Sequence, residues 1–82
     1  MFPTDIRIAP SLAQQLLQWP VDDREAALEI IAGITSIRIT AEVGVPCSTT
    51  GDGFLVLYEI GEDRVANVTT CRRTPRGYPH RM

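Results

Sequence analysis

The stretch Asp52–Arg73, DGFLVLYEIGEDRVANVTTCRR, limits the possible folds more than any other part of the chain. Phe54 to Ile60 is rich in β-formers and holds no proline or glycine. Gly61-Glu62-Asp63 supplies a turn, because glycine tolerates positive φ and aspartate bonds its own backbone. Arg64 to Cys71 then alternates, with Val65, Asn67 and Thr69 pointing one way and Ala66, Val68 and Thr70 the other. So short a loop predicts an antiparallel hairpin near the centre of a sheet. Neighbours on a strand face opposite sides. Tyr58 is therefore expected in the core with its hydroxyl at an edge. Glu59, facing away from it, is a cross-strand partner for an arginine such as Arg64. Two arginines, Arg72 and Arg73, close the stretch.

Upstream, Asp5–Ala9 alternates and reads as a first strand, ended by Pro10. Ser11 is the expected N-cap of a first helix, with Leu12, Leu16, Leu17 and Trp19 as its apolar stripe. Pro20 stops that helix. A second helix comes next, capped by Asp22 or Asp23, with Glu25 near its positive end. Ala26, Ala27, Ile30, Ile31 and Ile34 form its apolar side, and Gly33 with Thr35-Ser36 ends it. The break at Trp19-Pro20 makes the pair a helical hairpin. Ile37–Val43 alternates cleanly and is predicted as the second strand, and Gly44–Gly53 as a loop with Gly51-Asp52-Gly53 as a turn. The expected fold is α+β, β-α-α-β-β-β: an antiparallel sheet with the helical hairpin on one face, in two layers.

The chain has 82 residues, enough for one domain with one small core. No apolar run is long enough to span a bilayer, and the first residues lack the regions of a signal peptide, so a cytoplasmic protein is expected. Cys47 and Cys71 are not in a C-x-x-C and His80 stands alone, a poor set for zinc, so neither metal nor cofactor is expected. A disulfide between the two cysteines stays open, although a cytoplasmic setting favours free, mostly buried thiols. The net charge of −2 hides a division. Residues 1–63 carry three arginines and ten acids, 3 − 10 = −7, whereas residues 64–82 carry five arginines and no acid, +5. Arg64, Arg72, Arg73, Arg76 and Arg81 suggest an anionic partner, nucleic acid or an acidic protein, for this end. A solvated, frayed end is the other reading. Residues 74–82, with two prolines and a glycine, are expected to be an irregular basic tail.

The pattern resembles the RelE/ParE superfamily of type II toxins. The residues that carry it are Ile8-Ala9-Pro10-Ser11 leading into the helices, Val56-Leu57-Tyr58-Glu59-Ile60, then Val65, Val68 and Arg72-Arg73. Tyr78 falls six residues after Arg72, where RelE-like toxins often carry a terminal tyrosine. The resemblance implies a compact sheet with a helical hairpin against it and a cognate antitoxin that wraps the toxin. It also implies one of two activities. RelE-like members cleave messenger RNA on the ribosome, and ParE-like members inhibit DNA gyrase without acting as nucleases. For cleavage, Arg72 and Arg73 would neutralise the phosphate with forked donors. Tyr78 would stack on a base or handle the proton. Arg64, Arg76 and Arg81 would hold the RNA backbone. One position departs from the pattern: Leu55 stands where RelE-like toxins usually carry an arginine. The expected function is thus an endoribonuclease toxin with an atypical site, the alternative being a non-catalytic gyrase-type inhibitor or a non-toxic interaction module of the same fold.

Overall fold

The computed structural model describes residues 1–74. The predicted tail, with Arg76, Tyr78 and Arg81, lies almost wholly outside the described residues. The elements run β1 (Asp5–Ile8), α1 (Pro10–Leu17), α2 (Val21–Ala32), a 3₁₀ turn (Gly33–Ser36), β2 (Cys47–Gly51), β3 (Phe54–Ile60) and β4 (Val65–Arg73). The order β-α-α-β-β-β is as expected, and the chain is α+β with two helices and one four-stranded sheet. No helix among the described residues is long and apolar enough to cross a membrane.

The sheet is mixed rather than antiparallel throughout. Its order is β1-β4-β3-β2; β2–β3 and β3–β4 pair antiparallel, and β1 pairs with β4 in parallel. The expectation rested on neighbours in sequence pairing with each other. Here the helical hairpin carries the chain from one edge of the sheet to the other, so β1 and β2 never meet. β1 instead lies along the free side of the last strand, with Thr4 N–H donating to Arg64 O and Ala9 N–H to Val68 O at its two ends.

The second strand is not Ile37–Val43 but Cys47–Gly51, inside the predicted loop. The cause is the turn after it. Asp52 and Gly53 both have positive φ, 49° and 85°, the conformation of a two-residue hairpin turn in which Asp-Gly is favoured. So tight a connection places Gly51 opposite Phe54 and carries the pairing back to Cys47 opposite Tyr58. The edge of β3 is then occupied. Ile37–Val43 stays without a sheet partner; Ile37 and Ile39 pack against the core, and Ile39 N–H donates to Met1 O.

Smaller corrections come from backbone chemistry. α1 begins at Pro10, with Ala9 rather than Ser11 as its cap. Proline suits the first helical position, because its missing N–H would have no intrahelical acceptor there. α2 likewise starts after Pro20, and Asp22 and Asp23 sit within its first turn as charges near the helix dipole, not as the cap. Leu17, expected on the apolar stripe, is exposed. In the β3–β4 turn the left-handed residue is Arg64, at φ 63°, not Gly61. A Cβ at Gly61 would approach Asp63 Oδ1 to 2.8 Å, so the exposed Asp63 side chain would have to shift. Asp63 does bond its local backbone, accepting from Val65 N–H at 3.1 Å. Glu59 faces Asn67, not Arg64.

The core lies between the helices and one face of the sheet. Leu12 and Leu16 of α1, and Ala27, Ile31 and Ile34 of α2 and the turn after it, meet Phe54, Val56, Tyr58, Ile60, Ala66, Val68 and Cys71. Ile34, Val56 and Val68 are fully buried. Ile34→Ala should cost about 2–5 kcal/mol, a transfer loss plus a cavity. That is a large share of the roughly 4–12 kcal/mol expected for a chain of this length. Leu17→Ala should stay within about 0.5 kcal/mol. Chemical denaturation of the two variants checks the pair, and equal losses would misplace the core.

Candidate functional surface at the end of the sheet

The two arginines that close β4 face opposite sides of the sheet. The β3–β4 register pairs Leu57 with Thr70 but Tyr58 with Val68, leaving Thr69 without an opposite residue. This is a β-bulge, and its one extra residue in β4 reverses the phase of the rest of the strand. Ala66 and Val68 point into the core before it, Cys71 after it. Thr70, expected on the same side as Val68, lies opposite Leu57 on the open face instead. The same reversal sends Arg73 to the helix side, opposite Phe54, and Arg72 to the open face, opposite Leu55.

Arg73 is held by two contacts. Its guanidinium is ion-paired with Asp23 in the first turn of α2 and sits over the Phe54 ring, 5.3 Å from the centroid. Phe54 is itself stacked on Trp19, with centroids 5.4 Å apart. The cluster joins the last residue of the sheet to the junction of the two helices. Thr74 N–H donates to Gly53 O at 2.8 Å and fixes the strand end beyond it. Arg72 is exposed and has no acidic partner within 4 Å among the described residues. Arg64 lies at the far end of β4, eight residues from Arg72, or about 26 Å at strand rise. The three described arginines predicted as site residues therefore stand apart: Arg72 on the open face, Arg73 latched to the helices, Arg64 in the distant turn.

The open face carries Arg72, Thr70 and Asn67 of β4, Leu55, Leu57 and Glu59 of β3, Ser48 and Thr50 of β2, and Arg7 of β1. Arg7 donates to Asn67 Oδ1 at 3.2 Å and lies 3.9 Å from Asp63. Such a surface can bind a polar or anionic partner, and Arg72 is its forked donor. Sequence reasoning missed the bulge, although a signal was present: the inward apolar spacing stretches from two residues, Ala66 to Val68, to three, Val68 to Cys71.

The thiols are separate. Cys47 is on β2 and Cys71 on β4 with β3 between them, so two strand spacings, roughly 9.6 Å, exceed the reach of a disulfide. Cys71 is buried and Cys47 half-buried. Burial pushes the Cys71 thiol up; burial and then the Cys47 charge push the Tyr58 phenol up. Neither is poised as a nucleophile or base.

Comparison with known proteins finds no family model, no curated protein and no solved structure that matches the chain. The fold itself defines the class: an α+β domain with two helices against a four-stranded mixed sheet.

Two outcomes are expected. In a double-mutant cycle, Asp23→Ala and Arg73→Ala should couple by about 0.5–1 kcal/mol, because the pair is partly exposed. Arg72→Ala should stay within about 0.5 kcal/mol of the parent. Unfolding measurements check both, and zero coupling would show that Asp23 does not hold Arg73. The raised Cys71 and Tyr58 values set an alkaline limit. The unfolded thiol, near 9.0, and phenol, near 10.0, lose protons before the folded ones do. Stability is therefore intact below about pH 9 and falls as pH rises toward the folded values. Thermal melts across the alkaline range should show this, with a shallower slope in Cys71→Ala; an unchanged slope would remove Cys71 as a cause.

Proposed function

We propose that the chain is a toxin-type domain of the RelE/ParE kind, working in the cytoplasm with a cognate antitoxin, and that it acts by docking on its target rather than by cutting RNA. The element order, a strand, a helical hairpin and three strands ending in Arg72-Arg73, supports the family reading. The helices laid on one face leave the other sheet face to meet a partner.

The observation that favours docking over cleavage is the separation of the two arginines. Cleavage by the ribose 2′-OH builds charge on the phosphate, and a clamp needs donors converging on one point. Arg73 faces the helices and is already neutralised by Asp23. Leu55, where RelE-like toxins usually carry an arginine, lies directly across from Arg72. Among the described residues one guanidinium is left for the phosphate. Arg72 then serves as a recognition contact for a gyrase-like protein target or its DNA, which needs affinity but no transition-state site.

Induction in a bacterial host, with growth followed and RNA 5′ ends mapped, tests this reading. The expected result is growth arrest with a DNA-damage response and no new 5′ ends, relieved by Arg72→Glu in a protein shown to be soluble. New 5′ ends at codon positions that vanish in Arg72→Ala would restore the nuclease. Normal growth with soluble protein would overturn the toxin reading.

A further inference from the structure

A cleft of about 300 Å³ opens at the end of β3 away from Arg72, between the unpaired segment after the 3₁₀ turn and the edge of the sheet. It lies on the helix side of β3, about three residues or 10 Å along the strand from Leu55 and on the opposite face. Ser48 borders both this cleft and the docking surface proposed above, but Arg72 lies toward the other end of β3, and the docking proposal is not needed for this one.

The walls have a definite chemistry. Ile37, Ile39, Ile60 and the buried Pro3 are apolar. Tyr58 also lines the cleft and is only 7% exposed, so its ring belongs to the core. Its hydroxyl has no hydrogen-bond partner among the described residues. A hydroxyl without a protein partner in the wall of a cleft is open to a ligand's polar atom, and that bond orients the ligand. The Cys47 thiol is beside it, half-buried and turned to Val45 O at 3.5 Å. Of the lining residues only Arg38 is charged, and it has no acidic partner within 4 Å among the described residues.

We propose that this cleft binds a small amphipathic monocarboxylate, with its apolar body against Ile37, Ile39 and Ile60, its carboxylate on Arg38, and a polar atom on the Tyr58 hydroxyl. The volume is at the lower end of the range for ligand sites, roughly 300–1,000 Å³, and suits a ring bearing one acid group. A single arginine matches a monoanion through two parallel N–H donors. A dianionic phosphate would be left half neutralised against apolar walls, which disfavours it. The composition of Ile37–Val43 is accounted for as well: it alternates like a strand, yet it places isoleucines inward and Arg38 at the rim with no strand beside it.

The test uses the full chain and 2-naphthoate as the probe, followed by amide chemical shifts and by the rate of Cys47 alkylation with iodoacetamide. Cys71, at 1% exposure, does not compete for the reagent. Binding should be roughly millimolar or tighter for a ligand of this size. Shifts should be confined to Ile37–Ala41, Cys47, Ser48 and the end of β3, and saturation should slow alkylation of Cys47. Arg38→Ala, at an exposed position, should weaken binding about tenfold, and 2-naphthamide should bind the parent chain about tenfold more weakly than the acid. Tyr58→Phe should weaken binding while leaving the ring in the core. Equal binding of acid and amide would overturn the carboxylate assignment. Shifts elsewhere, unslowed alkylation, or no shifts at several times the expected dissociation constant would overturn the site.

Discussion

β4 must serve two neighbours at once, β1 in parallel along one edge and β3 antiparallel along the other, and the bulge at Thr69 marks where one duty ends. The parallel register stops at Ile8 opposite Val68, and Ala9 N–H makes the last bond before Pro10 turns the chain into α1. From Thr69 onward that edge of β4 has no strand. A bare edge exposes backbone donors and acceptors. α1 covers it with a side chain instead: Gln15 Nε2 donates to Cys71 O at 3.1 Å. The bulge brings Cys71 inward under the helices, closing the core with Val56 opposite it. The end of β4 is thus organised from the helix side, and the Asp23–Arg73–Phe54–Trp19 cluster continues the same arrangement.

One consequence is a change in what an arginine pair means. Side by side in sequence, Arg72 and Arg73 suggest a single cationic site. In a strand, adjacent residues face opposite ways, so such a pair divides between two surfaces unless the strand ends between them. Strand β4 runs through Arg73. Without the bulge Arg72 would have faced the helices and Arg73 the open side. The extra residue at Thr69 exchanges them, and Asp23, on the first turn of α2, is placed to receive the second.

Much of the architecture was legible in sequence because it obeys local rules. Pro10 ends the first strand and Pro20 separates the two helices, the apolar side of α2 and the turn after it repeats at Ala27, Ile31 and Ile34, and the β3–β4 hairpin is written in alternation around a short turn. What failed depended on competition between segments. Ile37–Val43 has better strand composition than Cys47–Gly51, yet only one of them can lie beside β3. The two-residue Asp52-Gly53 turn decides it, because a tight turn pairs its flanks at small entropic cost whereas a longer loop must first be closed. The parallel placement of β1 was illegible for a related reason: it is fixed by which edge the hairpin leaves free. Of the candidate site, the two arginines read alike in sequence, and which of them faces the helices depends on the bulge; the cleft around Tyr58 and Arg38 depends on where the displaced Ile37–Val43 segment lies.

The charge division along the chain becomes in part a division between faces. Asp22, Asp23, Glu25 and Glu29 all belong to α2, on the helix layer, and Arg73 turns toward them. On the open face Glu59 is four residues along β3 from Leu55, the partner of Arg72. That is about 13 Å at strand rise, beyond the roughly 8 Å screening length at physiological salt. Arg7 and Asp63 offset each other near the far turn. Arg72 therefore has no acidic partner within 4 Å among the described residues, and the acid at its end of the sheet is Asp52 in the β2–β3 turn. Four of the ten carboxylates lie on α2, on the other side of the sheet, so an acidic chain can still offer a cationic contact at Arg72.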